Sequence, residues 1–128
     1  MKEKKETWRI VAILAFLAYL LLLAYLLFFS STYGRTIEMG YRYNLTPFLE
    51  IRRGLKHIET VGYRYVLVNI AGNVVAFMPF GFLLPLITER KMNTIKVFFF
   101  SLLLTICAEL LQLVSRTGAF DVDDLILN

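Results

Sequence analysis

Three long apolar runs separated by polar segments organise the whole chain. Ile10–Phe29 is twenty residues without a charge, a glycine or a proline. A bilayer core takes about 20 residues of helix to cross, so a spanning helix is predicted over about 10–29. Its apolar part is longer than the roughly 7–15 residues of a secretory signal, and no small-x-small cleavage site follows promptly. It reads as a retained span. Tyr65–Thr88 is a second uncharged stretch, interrupted by Asn69, Gly72, Asn73, Pro79, Gly81 and Pro85. A second span is predicted over about 65–88, with a kink or local unwinding at Pro79 and Gly81 and its end marked by Pro85. Gly72 and Ala76 offer small residues for close helix contact, and Asn69 and Asn73 offer amides that bond across it. Val97–Val114 predicts a third span, over about 95–115.

Composition agrees with that pattern. Hydrophobic residues make up 58% of the chain and mean hydropathy is +0.62, too apolar for a soluble domain of this length. The single cysteine, Cys107, excludes an internal disulfide and is expected to be a small buried apolar residue in mid-helix. The net charge of +4 comes from residues flanking the apolar runs. Anionic membrane lipid, rather than nucleic acid, is therefore the expected partner. Lys2, Lys4, Lys5, Arg9, Arg90, Lys91 and Lys96 fall on one side of the membrane. Arg35, Arg42, Arg52, Arg53, Lys56, Arg64 and Arg116 fall on the other, so the counts tie at seven. Charges packed closest to the first helix dominate, which predicts a multi-pass cell-membrane protein with a cytoplasmic N-terminus. Trp8 then anchors the inner interface, and Tyr33, Tyr41, Tyr43, Tyr63 and Tyr65 form an outer aromatic belt.

The segment 30–64 becomes an outer loop. Phe48, Ile51, Leu55 and Ile58 recur at helical spacing, with Arg52, Arg53 and Lys56 on other faces. This predicts a short basic amphipathic helix lying at the interface, with Thr46 as N-cap and Pro47 in its first turn. His57, the only histidine, reads first as a polar surface residue. Asn44-Leu45-Thr46 matches a glycosylation sequon, but Pro47 directly after it argues against its use.

The unusual polar residues share a depth. Glu109, Gln112 and Arg116 are spaced i, i+3, i+7 on the third span, and Asp121, Asp124 and Asn128 repeat that spacing after a short turn. A carboxylate near hydrocarbon costs a few kcal/mol and marks a protein interior or a wet cavity. Glu109 is about 10 Å of helix from Arg116. Asn69 and Asn73 lie at the same end of the second span, and His57, Arg52 and Arg53 lie in the loop above. All of them fall at the outer leaflet.

Those residues carry a resemblance. Asn44-Leu45-x-Pro47-Phe48, then Asn69-x-x-Gly72-Asn73-x-x-x-Phe77-x-Pro79-Phe80-Gly81-x-x-Leu84-Pro85, then Glu109-x-x-Gln112, Arg116 and Asp121-x-x-Asp124-x-x-x-Asn128 resemble the VanZ-like family. The likeness runs in order from about Asn44 to Asn128. It implies a small polytopic bacterial membrane protein of four or more spans, in a family whose named member confers resistance to the glycopeptide teicoplanin. In that family the position of Asn128 is followed by a glycine-rich final span. Asp121–Asn128 is too short to cross a bilayer, so it is expected to be the start of a truncated fourth helix. The expectation is therefore an all-α polytopic membrane bundle, a single domain over 1–128.

Three functional readings follow. In the first, an outer-leaflet polar cavity binds the headgroup of a lipid-like molecule, such as a lipid-linked wall precursor or a lipoglycopeptide. Arg52, Arg53 and Arg116 would take a phosphate or carboxylate; Asn69, Asn73 and Gln112 would bond sugar or peptide groups, with Glu109, Asp121, Asp124 and Asn128 completing the lining. In the second, the cluster is structural, with Arg116 paired to Asp121 or Asp124. In the third, Glu109, Asp121, Asp124 and His57 act as acid and base, or as metal ligands, on a lipid-linked substrate. Against the third stand the lack of a compact metal motif and the fit of Asp121 as a helix N-cap, with Asp123 and Asp124 in the first turn. No cofactor is implied.

Overall fold

The computed structural model describes residues 2–30, 41–88 and 91–128, with side chains from residue 4 onward. Tyr33, Arg35 and Arg90, counted above in the charge and aromatic patterns, lie outside the described residues. Among the described residues, three helices are long and apolar enough to cross a membrane: α1 (Lys2–Phe28), α4 (Tyr63–Ile87) and α5 (Thr94–Ser115). They match the three predicted spans to within a few residues, except that α1 extends back through the charged N-terminal residues. Asn93 caps α5, its side chain accepting from the Lys96 N–H at 3.0 Å. Thr88 closes α4, its hydroxyl donating to the Leu84 carbonyl at 2.9 Å.

α4 differs from expectation at its prolines. The helix is continuous through Pro79 and Gly81, without unwinding, and it passes Pro85 to end at Ile87. A proline removes one backbone donor, and the neighbouring turns carry the helix past that loss.

Packing places α1 antiparallel to α4 and parallel to α5. Tyr19 donates its hydroxyl to the Ala76 carbonyl at 2.9 Å, and the Phe16 and Phe80 rings meet at 5.6 Å. The apolar core is Leu23 and Leu27 of α1, Phe77 of α4 and Ala108 of α5, flanked by Tyr19, Phe28, Ala76 and Leu104. Ala76 and Ala108 are small enough for close helix approach. Most other apolar side chains face outward, as they must on a helix solvated by lipid. Cys107 is among the outward-facing residues, not buried as expected: Ala108, Glu109 and Thr105 take the inner face and turn it away.

One end of the bundle carries all the remaining elements. These are β1 (Tyr43–Asn44), α2 (Leu49–Lys56), α3 (Ile58–Val61), β2 (Phe120–Asp121) and α6 (Val122–Leu127). β1 and β2 form a two-residue parallel ladder, with Tyr43 opposite Phe120 and Asn44 opposite Asp121. The fold is otherwise all-α. The predicted loop helix is present but starts later and is broken. Phe48, not Thr46, is its N-cap residue, in a left-handed conformation at φ 62°, uncommon for a bulky side chain. Asn44 folds the chain just before it, its side-chain oxygen accepting the Thr46 N–H at 3.0 Å. At His57 the helix stops, and α3 begins one residue later. Gly62, at φ 91°, then turns the chain into α4, a conformation open to glycine at little cost.

Candidate functional site

The polar residues of α5 occupy one buried stripe. Thr105, Glu109 and Gln112 are 1%, 3% and 0% exposed, and with Ala108 they follow the helical spacing that keeps a single face inward. A buried polar group must find partners or lose a few kcal/mol, so each partner shows what the stripe holds. The Gln112 amide donates to the Leu27 carbonyl at 2.9 Å, an acceptor in the last turn of α1 with no partner inside its own helix. Glu109 accepts the Asp121 N–H at 3.1 Å. On α4, buried Asn73 donates to the Asp124 carboxylate at 2.6 Å. All three spanning helices are thus tied at this end, and two of them hold the segment 120–124.

Asp123 completes the arrangement. It is 1% exposed, and its carboxylate accepts the backbone N–H groups of Phe48, Glu50 (2.9 Å) and Ile51 (3.1 Å). These are the orphan donors of the first turn of α2. The cap that sequence reasoning assigned to Thr46 comes instead from a residue more than seventy positions later. A negative charge there is also favoured by the α2 dipole.

Asp121 links the same pieces from the other side. Its carboxylate caps α6 by accepting the Asp123 N–H at 2.9 Å, and it accepts from the Asn44 amide at 3.0 Å. Burial pushes the Asp121 carboxyl above the ordinary carboxylate range. The bonds from Asp123 and Asn44 oppose that rise, the Asp123 charge adds to it, and Arg53 pulls it back. Phe120 joins the ladder by donating its N–H to the Arg42 carbonyl at 2.9 Å.

The remaining predicted residues separate from this knot. Arg116 ends α5 in a left-handed conformation at φ 57° and lies with its guanidinium 4.9 Å from the centre of the Tyr41 ring. The carboxylates expected as its partners, Asp121 and Asp124, are engaged by Asn44 and Asn73. Asn128 caps α6 with its N–H on the Asp124 carbonyl at 3.0 Å, while its buried side-chain oxygen, like that of Gln112, has no hydrogen-bond partner among the described residues. Arg52 is exposed. Asn69, His57 and Arg53 line an open cleft of about 460 Å³ between α2–α3 and the start of α4, together with Arg42, Glu50 and Tyr65. Arg53 and Glu50 form an ion pair at 2.6 Å on its wall.

The single polar layer read from the sequence is therefore two structures. One is a packed knot of Asn73, Glu109, Gln112, Asp121 and Asp124. The other is an open cleft containing Asn69, His57 and Arg53. Sequence reasoning missed Asp123 and Arg42. Asp123 carried only its place in the first turn of α6, with no periodic signal, because its partner is another helix. Among the described residues, no three of His, Cys, Asp and Glu gather closely enough to hold a metal ion.

Fold and site together define an integral membrane protein whose described residues include three long apolar helices, closed at one end by a buried carboxylate and amide knot. The chain belongs to the VanZ/LLP1 family, whose model matches residues 16–128. It is 30% identical over 113 residues to Protein VanZ of Enterococcus faecium, an alignment covering 86% of this chain and 62% of that protein. The chain thus spans under two thirds of that relative's length. No solved structure matches it.

Proposed function

We propose that this protein acts in the bacterial cell envelope as a binding protein for the anionic headgroup of a lipid-like molecule, in the manner of a glycopeptide-resistance membrane protein. The N-terminus lies in the cytoplasm and the knot and cleft face outward. The cleft carries the reading. Arg42 and Arg53 line it with His57 and Asn69, and Tyr65 stands at its edge. Two guanidinium groups suit a phosphate or carboxylate, and the amide suits sugar or peptide groups. The ends of the apolar helices lie beside it, where an acyl or polyprenyl chain would run. The family membership supports an association with resistance to teicoplanin, itself a headgroup joined to an acyl tail. A lipid-linked wall precursor has the same chemistry.

Binding of a polyprenyl phosphate to the detergent-solubilised protein tests the cleft, with the uncharged polyprenol as control. The phosphate should bind at least tenfold tighter, and the Arg42→Gln/Arg53→Gln double variant should abolish that difference. Equal binding of phosphate and alcohol would rule the reading out. An impermeant thiol reagent applied to cells expressing Glu59→Cys in a Cys107→Ala background tests the orientation. Labelling from outside is expected, and labelling only after lysis would reverse it.

A second reading has its own observation. Glu109, Asp121, Asp123 and Asp124 all accept hydrogen bonds from other parts of the chain, so the knot is structural and serves the cleft by fixing its wall. Those same bonds weaken the enzymatic reading. Oxygens engaged with Asn44, Asn73 and five backbone donors are poorly placed to move protons on a substrate, and His57 belongs to the cleft instead.

A further inference from the structure

The opposite end of the bundle carries a second cavity, made from residues with no part in the knot or the cleft. It lies between the first turns of α1 and the last turns of α4, has a volume of about 900 Å³, and is lined by Lys5, Glu6, Trp8, Arg9, Val11, Ala12, Ala15, Leu83 and Leu86. The lining is graded along the membrane normal. Lys5 and Arg9, one helical turn apart on α1, stand at the mouth with Trp8. Ala12, Ala15, Leu83 and Leu86 form an apolar trough leading inward. Ala12 and Ala15, small residues one turn apart on α1, contribute little side-chain bulk to this lining.

We infer that this cavity is a site for an anionic phospholipid, held by its phosphate at Lys5 and Arg9 and by one acyl chain in the trough of Ala12, Ala15, Leu83 and Leu86. Three observations converge on that occupant. First, the volume is within the roughly 300–1,000 Å³ range of small-molecule sites, enough for a headgroup and the upper part of a chain. Second, the charge at this end is lopsided: in the sequence Lys2, Lys4, Lys5, Arg9, Arg90, Lys91 and Lys96 outnumber Glu3, Glu6 and Glu89, and basic side chains near a membrane surface attract anionic lipid. Third, the order of cation, indole and aliphatic trough matches the order of phosphate, glycerol ester and acyl chain. Lys5 and Arg9 can lay their aliphatic stems on the apolar lining while their charged ends reach the headgroup layer. Glu6 in the same rim disfavours a second negative charge, which points to a singly charged headgroup such as phosphatidylglycerol.

Native mass spectrometry of the purified protein, titrated separately with phosphatidylglycerol and with phosphatidylcholine of the same chains, tests this. The unmodified protein should retain one phosphatidylglycerol through delipidation at concentrations where phosphatidylcholine is lost. Lys5→Gln/Arg9→Gln should weaken phosphatidylglycerol about tenfold. Ala15→Phe, filling the trough from an exposed position, should displace both lipids. Lys91→Gln/Lys96→Gln, which lowers the charge of the same end without touching the cavity, should leave the bound lipid in place. Equal retention of the two lipids by the unmodified protein would overturn the inference. So would an equal loss in the Lys91/Lys96 variant, which would reduce the effect to general surface charge.

Discussion

The knot and the cleft lie at the same end of the bundle and share α2, yet their polar residues behave in opposite ways. In the knot, each carboxylate or amide is matched to a partner from a distant element: Asn73 to Asp124, Glu109 to the Asp121 N–H, and Asp123 to three donors of α2. In the cleft, Glu50 and Arg53 pair across one helical turn, and the wall stays open. Depth alone therefore does not identify a binding site. A polar group buried against the chain's own backbone is holding the chain, whereas one lining an open cleft remains accessible from outside the fold. Glu50 belongs to both regions. Its N–H is held by Asp123 and its side chain lines the cleft, so the knot sets the position of the cleft wall.

Substitutions can break this division. Asp123→Ala should have the largest effect, stranding three backbone donors and costing about 3 kcal/mol or more. Thermal unfolding in detergent would show it, and limited proteolysis should cut first in the segment around α2. Glu109→Leu should follow, at about 2 kcal/mol for the stranded Asp121 N–H and the lost charge-assisted bond. Glu109→Gln should be milder, because an amide oxygen still accepts that N–H. The two asparagines of α4 give the sharpest contrast. Asn73→Leu should destabilise by about 1–2 kcal/mol, since it removes the partner of Asp124. Asn69→Leu, one turn away, should change stability by less than about 0.5 kcal/mol while weakening headgroup binding. If Asn69→Leu proved as destabilising as Asn73→Leu, the two regions would be one. Arg53→Gln should sit at the bottom of the stability scale, at about 0.3 kcal/mol for an exposed pair within one helix.

Asp121 adds a dependence on pH. Burial raises its carboxyl in the fold, so the folded state holds this proton more tightly than the unfolded chain does. Its contribution favours folding when protonated and is lost as pH rises through the raised value. Asp121→Asn keeps an oxygen for Asn44 and for the Asp123 N–H. The variant should therefore gain stability relative to the parent at neutral pH, and the gain should vanish below the ordinary carboxylate range. Unfolding curves of the pair across that window check the sign.

Much of the bundle was legible from local pattern. Uninterrupted apolar length located α1, α4 and α5, and Asp121 was recognisable as the cap of α6. What escaped depends on partners distant in sequence. Thr46-Pro47 looked like a helix start because only nearby residues were considered, whereas Asp123 supplies the cap and Phe48 turns left-handed beneath it. Asn69 and Asn73 looked equivalent at their spacing of four, but only Asn73 meets α6. Cys107 looked buried because its neighbours in the sequence are apolar, a poor guide when the surrounding solvent is lipid. Glu109 and Gln112 were the reverse case. Their cost in an apolar helix required partners, and the partners are there.

The remote cap on α2 also governs the order in which the protein can be made. An eight-residue helix is marginal by itself, and its first-turn donors have no companions until residue 123 has been synthesised. Ribosomes add roughly 5–20 residues per second, so for several seconds the first loop exists without the carboxylate that finishes it. During that interval α1, α4 and α5 can enter the membrane one after another while residues 41–61 wait at the surface. The loop is then completed from its far side, when the segment after α5 swings back and Asp123 reaches Phe48. The loop that comes first in the chain is thus among the last parts to take its final shape.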